Sequence, residues 1–190
     1  MKKILLGCAL TMLSAAALAK DDMANHDIAI QLSPRIGYGE VQLESTKTQS
    51  GHRENLDALD LGFGVGVVMP FGVLVEGGVH RDYSESWVDN KDRFELDNES
   101  LAIGYQFETD RGVRLIPKVG RTHWRLKDKG GVLSDAGPDG DHRFDGYDYF
   151  WELTLQKRVS RVVSLGVTVK DNEFDFGNAR AINFTATFDL

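Results

Sequence analysis

The chain has 190 residues, and its 29 Asp and Glu outnumber its 22 Lys and Arg to give a formal net charge of −7 at pH 7. This acidic balance argues against nucleic-acid binding, which needs a basic surface. After the N-terminal segment the sequence has no run of about 20 apolar residues, so no transmembrane helix is predicted. The length is enough for one domain.

The first 19 residues have the layout of a secretory signal peptide. A positively charged start is followed by an apolar stretch, Ile4 to Leu13, and by an A-x-A cleavage site that ends at Ala19. We therefore predict that residues 1–19 are removed and that residues 20–190 form one β-barrel domain. The only cysteine, Cys8, leaves with the signal, so we expect neither a disulfide nor a cysteine metal site in the mature protein.

Apolar and polar residues alternate in eight segments of the mature chain. Such alternation predicts β-strands with one apolar and one polar face. The clearest segment is Leu59–Met69, where apolar residues alternate with Asp60 and three glycines. Pro34 interrupts the first segment, and its missing N–H predicts an edge, a bulge or a strained pairing there. The eight segments are Ile28–Tyr38, Leu59–Met69, Val73–Val79, Leu101–Phe107, Val113–Val119, Tyr149–Leu155, Val163–Val169 and Ile182–Leu190.

The connections between these segments alternate between short and long. Short turns on one side and long loops on the other are typical of outer-membrane barrels, with the short side in the periplasm. The pattern predicts an all-β fold: an eight-stranded antiparallel up-and-down transmembrane β-barrel with four extracellular loops. The short connections are 70–72, 109–111 and 159–161, and the long, polar ones are 39–55, 84–96, 127–146 and 171–179.

The polar face distinguishes this barrel from a soluble one. A soluble, lipocalin-like barrel turns its apolar face inward and covers its exterior with charged residues. Here the polar face is rich in Gly, Ala, Ser and Thr, which suits the crowded interior of eight strands. Because buried charges must be paired, we predict a network in the lumen. It joins Arg35, Arg114, Lys118, Arg158 and Lys170 to Glu76, Glu152 and Glu108.

Aromatic residues cluster near the segment ends, where the interfacial girdles of a membrane barrel lie. Trp124 falls on the polar face instead, which predicts a bulge or an early start of the third long loop. The predicted periplasmic girdle is Phe71, Tyr105, Phe107 and Phe188, and the outer one is Tyr38, Tyr83, Tyr149 and Trp151.

The whole mature chain resembles the small OmpA-like and OmpX-like outer-membrane barrels. Lys118–Trp124, with Gly120 shortly before the Trp, resembles the fifth strand of opacity-type and OmpA-like barrels, and Phe174–Gly177 is similar to the loop before their last strand. The alternating C-terminal strand resembles the closing strand that the barrel-assembly machinery reads, with Leu190 where Phe is usual. The peptidoglycan-binding domain of full-length OmpA is not expected.

This resemblance implies the outer membrane of a Gram-negative bacterium as the location. The partners that it implies are outer-membrane lipid and lipopolysaccharide, the assembly machinery, and an extracellular ligand or host surface reached through the loops. We expect a monomer without a cofactor.

An acidic stretch in the third long loop has part of a calcium-loop spacing. Asp141, Asp145, Gly146 and Glu152 occupy positions 1, 5, 6 and 12, but the cation Arg143 stands at position 3, where an oxygen ligand is required. We therefore predict a solvated acidic loop and no metal ligand. The aspartates of this stretch are Asp135, Asp139, Asp141, Asp145 and Asp148.

His80, Glu76 and Ser100 are the residues from which a base, an acid and a nucleophile could assemble. All three are predicted on the lumen face, away from acyl chains, so a hydrogen-bonded lumen histidine is favoured and no catalytic residue is assigned. Basic loop residues can contact lipopolysaccharide phosphates or host polyanions, although ordinary solvated loops are the favoured interpretation. These residues are Lys47, His52, Arg53, Lys91, Arg93, Lys127, Lys129, Arg143 and Arg180.

The predicted function is therefore that of an integral outer-membrane barrel and not of an enzyme. A plugged polar lumen would leave the four loops to serve recognition, adhesion or envelope stabilisation. A lipid A-modifying enzyme is the first alternative, and a narrow channel is the second.

Overall fold

The computed structural model describes residues 28–44, 51–52, 54–85, 92–128 and 142–190. Regular structure in these ranges is β-strand. Within them, no helix is long and apolar enough to cross a membrane. The strands are β1 (Ala29–Leu43), β2 (Glu54–Val68), β3 (Val73–Glu85), β4 (Asp92–Tyr105), β5 (Phe107–Glu108), β6 (Val113–Asp128), β7 (His142–Arg158), β8 (Val163–Phe174) and β9 (Gly177–Asp189).

The strands form a closed barrel. Except for β4 and β5, strands that follow each other in sequence pair antiparallel, and β9 returns to pair with β1 from Gln31 opposite Asp189 to Leu43 opposite Gly177. The segments β4 and β5 both pair with β6 and act as one wall strand interrupted at Gln106. The predicted eight-stranded antiparallel up-and-down barrel is thus confirmed. Closure pairs the strand edges that would otherwise be left open.

Pro34 interrupts one hydrogen-bonded ladder without changing its register. On the β2 side it lies opposite Phe63 in continuous pairing. On the β9 side, regular pairing stops after Leu32 and resumes at Arg35 with the same register. The predicted edge or bulge is therefore wrong, and the missing N–H is accommodated by a local gap in the ladder.

The strands extend further at the outer end than the alternation predicted. β1 continues to Leu43 and β6 to Asp128, so the first three long connections are shorter than expected. The predicted fourth loop, 171–179, is wrong: β8 ends at Phe174 and β9 begins at Gly177, which leaves a two-residue turn. The sequence pattern missed these extensions because the apolar residues change from the outer to the inner face along the same strands.

In the half of the barrel nearer the short turns, apolar side chains face outward and polar ones face inward. Exposing apolar surface to water costs a free energy of about 25 cal/mol per Å². This exterior therefore requires a non-aqueous surrounding. We call these exposed residues the apolar band. They include Ile30, Ile36, Tyr38, Leu59, Leu61, Phe63, Val65, Val67, Val79, Leu101, Ile103, Leu115, Tyr147, Tyr149, Trp151, Leu153, Leu155, Leu165, Val167, Val169, Ile182, Phe184 and Phe188.

In the outer half the arrangement is reversed, because apolar side chains fill the interior. Trp124 is only 4% exposed and packs edge-on against Phe174 and Phe176. β6 runs through Trp124 in register to Asp128, so the predicted bulge or early loop is wrong. We call this group the outer apolar cluster. It comprises Val41, Leu43, Leu56, Ala58, Phe94, Leu96, Trp124, Leu126, Phe174, Phe176 and Ala179, with Phe144 packed against it.

Five of the eight predicted girdle residues are exposed, whereas Tyr83 and Phe107 are half-buried and Tyr105 is buried. Tyr38, Tyr149, Trp151, Phe71 and Phe188 are exposed on the barrel exterior. Tyr105 is instead buried against the neighbouring turn, where its ring lies 4.5 Å from that of Phe107. The turn approaches closely because Gly72 has a φ of 86°, and a Cβ there would lie 3.2 Å from the Tyr105 ring.

Candidate functional site

Four charged side chains meet across the middle of the lumen. Arg35 donates through Nη2 to Glu76 Oε1 at 2.6 Å and through Nη1 to Glu152 Oε2 at 2.7 Å. Lys118 Nζ contacts the same two carboxylates, at 3.0 Å from Glu76 Oε1. Because the four residues come from β1, β3, β6 and β7, the predicted network connects opposite parts of the wall. Each cation is shared by two carboxylates, which balances the buried charge.

Hydroxyl groups connect this centre to the neighbouring strands. Thr154 lies 2.9 Å from Thr168, and Thr168 lies 2.8 Å from Thr185, in each case between the two hydroxyl oxygens. Thr154 also donates to Glu152 Oε1 at 3.2 Å. Alternate small polar residues on β7, β8 and β9 therefore place a hydrogen-bonded row beside the ion pairs.

A second ionic group lies near the short turns. Arg114 contacts Glu108 at 2.9 Å and Asp189 at 2.8 Å, and Arg158 contacts Glu108 at 3.0 Å. The predicted members Arg114, Arg158 and Glu108 are thus brought together. Asp189 was missed because it stands beside the last residue of the sequence, and Gln31 donates to it at 2.8 Å.

A third polar group lies between the central ion pairs and the outer apolar cluster. Asn183 Nδ2 donates to Asp60 Oδ2 at 2.7 Å, and His80 Nδ1 lies 3.5 Å from Asp60 Oδ1. Asn98 Nδ2 donates to Asp82 Oδ2 at 3.1 Å.

Lys170 is buried in this third group and departs from the predicted pairing. It has no carboxylate within 4.0 Å among the residues that the structure describes, and its Nζ lies 4.9 Å above the Phe150 ring. Its ammonium group interacts electrostatically with the carboxyl groups of Asp60, Asp82 and Glu152 over a longer distance. Asp60 and Asp82 were not predicted as partners, because one stands in a glycine-rich strand and the other lies close to the expected loop.

The residues singled out for possible catalysis have different contacts in the structure. Glu76 is bound by Arg35 and Lys118, and Ser100 Oγ donates to the backbone oxygen of Gly78 at 3.3 Å. His80 faces Asp60 instead of Glu76. His80, Glu76 and Ser100 therefore have separate partners within the lumen.

The acidic stretch of the third connection is not a calcium loop in its described part. Residues 142–158 are one continuous strand, in which Asp145 is exposed and Asp148 accepts a hydrogen bond from Trp124 Nε1 at 2.7 Å. Since Asp145 and Glu152 belong to this strand, they cannot curve around one ion as the motif requires. Among the described residues, no group of three or more His, Cys, Asp or Glu is placed to hold a metal. Asp135, Asp139 and Asp141 lie outside these residues.

Outside the barrel, beyond the apolar band, charged residues surround the outer half. We call them the outer collar. Three arginines in the described part of this collar contact a carboxylate: Arg81 contacts Asp97, Arg125 contacts Glu99, and Arg180 contacts Asp171 at 3.2 Å. Of the predicted basic loop residues, Lys127 contacts Glu95 at 3.3 Å and Arg143 is exposed. His52 is exposed, whereas Lys47, Arg53, Lys91, Lys129 and the side chain of Arg93 lie outside the described part of the chain.

Comparison with known proteins identifies relatives by structure alone. No family model matches the sequence, and no characterised protein matches it by sequence. Neisserial surface protein A (NspA) has 12% identity and a TM-score of 0.59, with 86% of this chain and 96% of that chain covered. Ail, the attachment invasion locus protein of Yersinia pestis, in complex with the heparin analogue sucrose octasulfate, has 14% identity and a TM-score of 0.55, with coverages of 87% and 100%.

A third relative is the N-terminal β-barrel domain of Pseudomonas aeruginosa OprF, with 12% identity, a TM-score of 0.53 and coverages of 85% and 97%. The fold is therefore similar to that of small outer-membrane β-barrels. Its eight-stranded closed barrel fits the fold of the OmpA-like and OmpX-like barrels.

Proposed function

We propose that this protein is an integral outer-membrane barrel that acts through its outer surface and is neither a diffusion pore nor an enzyme. The observation that carries the proposal is the apolar band around a polar interior, because lipid is the surrounding that such an exterior fits. The outer-membrane relatives support the same location.

The side chains that fill the lumen support a barrel without an open pore. An ion that entered from the outer end would first meet the packed outer apolar cluster, which disfavours hydrated ions. It would then have to separate Arg35 and Lys118 from Glu76 and Glu152, whose side chains are at most 9% exposed. Breaking buried ion pairs in this way is costly, by about 3–5 kcal/mol when one partner is removed.

Planar-bilayer recording tests the closed lumen. The mature protein should give no discrete current steps at low voltage, and insertion should be verified by heat-modifiable gel migration of the same sample. Discrete steps from inserted protein would instead support the narrow channel.

The outer surface supports a role in recognition, adhesion or envelope stabilisation. The strands carry a charged collar beyond the apolar band, and three long connections follow from it. The attachment protein Ail is an example of this fold in an attachment role.

A cell-binding or pull-down assay should compare the intact protein with variants in which residues 45–50, 86–91 or 130–140 are replaced by short linkers. Loss of binding in at least one trimmed variant is expected. Equal binding by all three would contradict a role for these connections.

The separate partners of His80, Glu76 and Ser100 support a non-enzymatic function. Expression of the wild type should leave the mass profile of lipid A unchanged. A changed profile that reverts with His80→Ala or Ser100→Ala would establish the lipid-modifying alternative.

We also propose that the protein is a monomer and that its assembly depends on β9. This strand closes the barrel against β1 and would be the strand that the assembly machinery recognises. Deleting residues 186–190 should abolish insertion into the outer membrane. Normal insertion of that variant would refute the dependence.

A further inference from the structure

One cation, Arg121, lies where the outer collar meets the apolar band. Arg121 is exposed on β6, and the residues directly opposite are Leu101 on β4 and Tyr149 on β7. These neighbours are 64% and 65% exposed and belong to the apolar band. The Arg121 side chain therefore leaves the barrel wall at the edge of the apolar band, at the boundary between lipid and water.

Arg121 also differs from the other basic residues on the outer face of β6. Arg125 contacts Glu99, Lys127 contacts Glu95 at 3.3 Å, and His123 Nδ1 lies 3.9 Å from Glu99. For Arg121, the described residues provide no carboxylate within 4.0 Å. Among the described residues, its charge has no carboxylate partner, whereas Arg125 and Lys127 on the same strand face each have one.

An aromatic pair holds the Arg121 guanidinium in place. Its Cζ lies 4.9 Å from the centre of the Tyr147 ring, and this ring stacks on His123 at 4.5 Å. A cation–π contact orients the guanidinium but leaves its hydrogen-bond donors available. Tyrosine rings suit the same boundary, since they combine an apolar ring with a polar hydroxyl.

We propose that Arg121, flanked by Tyr147 and Tyr149, binds the phosphate headgroup of an amphiphile in the outer leaflet. A guanidinium forms bidentate hydrogen bonds with phosphate, and the apolar neighbours Leu101 and Trp151 can lie against acyl chains. A soluble polyanion fits less well, because the site opens onto the lipid-facing wall. The inference rests on the proposed membrane location and adds a specific partner to it.

The test uses the full mature protein in neutral phosphatidylcholine nanodiscs, with the dissociation constant measured by native mass spectrometry. Two phosphate amphiphiles are titrated separately: diphosphorylated lipid A and phosphatidylglycerol. We expect Arg121→Gln to weaken binding about tenfold, which corresponds to about 1.4 kcal/mol, for at least one of them. Weakening for lipid A alone identifies a glycolipid phosphate, for phosphatidylglycerol alone a phospholipid, and for both the shared phosphate chemistry.

Arg125→Gln is the matched control, because it removes the same charge from the same strand face at a residue that contacts Glu99. It should leave the affinity within about threefold, since it removes a charge that a carboxylate already balances. Unchanged affinity of Arg121→Gln in both titrations would overturn the proposal. An equal loss with Arg125→Gln would also overturn it, because general charge attraction would then suffice.

Heat-modifiable migration separates this proposal from the proposed function. If Arg121→Gln folds and inserts as the wild type does but keeps its lipid affinity, the phosphate site alone is refuted. If the wild type itself fails to insert into membranes, the membrane location is refuted with it.

Discussion

The two halves of the barrel wall arrange the same kinds of residue in opposite ways. On β7, Leu153 in the half nearer the short turns faces outward and Glu152 faces the lumen, whereas in the outer half Asp145 is exposed and Phe144 packs inward. One continuous strand carries both arrangements. The surrounding solvent, and not the strand itself, therefore decides which face is apolar: lipid surrounds one half and water the other.

The largest expected loss of stability comes from removing a buried charge in the half of the barrel nearer the short turns. Glu152→Ala removes the carboxylate shared by Arg35 and Lys118 and should reduce the free energy of unfolding by about 3–5 kcal/mol, because it leaves buried positive charge unbalanced. Urea titration in lipid vesicles measures the change. A loss below 1 kcal/mol would show that the ion pairs are not buried as described.

A loss of similar size is expected from the outer apolar cluster. Trp124→Ala should cost about 3–5 kcal/mol, since it leaves a cavity beside Phe174 and Phe176. The same vesicle titration applies, and Trp124→Phe should recover part of the loss because it restores ring packing. If Trp124→Ala were neutral, the interior of the outer half would not be a packed core.

A charge on the outer face tests the difference between the halves directly. Leu153→Arg should cost about 2–4 kcal/mol, which is typical of a cation on the lipid face near the bilayer centre. Asp145→Arg, on the outer face of the same strand, should be close to neutral because its side chain is in water. Equal costs for the two variants would remove the distinction.

The smallest effect is expected at the ion pairs of the outer collar. Arg180→Gln breaks the exposed contact with Asp171 and should change stability by less than about 1 kcal/mol. The change should shrink further at high salt. A loss comparable with that of Glu152→Ala would place this pair in a buried environment.

The sequence predicted the half that faces lipid better than the half that faces water. The alternation in Leu59–Met69 has the period of a strand, and lipid on one side makes it regular, so strands and lumen charges such as Arg35 and Glu152 could be predicted. Beyond the apolar band, apolar residues such as Trp124 face inward and the outward residues are polar. The sequence of the strands there therefore resembled that of loops.

Pairing within the lumen was only partly predictable for a related reason. Lys170 and Asp60 come from β8 and β2, and their proximity depends on closure of the barrel and on register, which one sequence does not specify. The same holds for Arg121 and Tyr147, whose contact across β6 and β7 follows from the pairing of those strands.

Accessibility measured by spin labelling tests the central claim most directly. Because Cys8 is the only cysteine of the sequence, Leu153→Cys and Asp145→Cys each provide a single labelling site in a chain expressed without residues 1–19. In lipid vesicles, we predict that the label at residue 153 is accessible to oxygen dissolved in the bilayer and shielded from a water-soluble nickel chelate. The label at residue 145 should show the opposite preference. Equal access of the nickel chelate to both labels would contradict a barrel whose two halves face lipid and water.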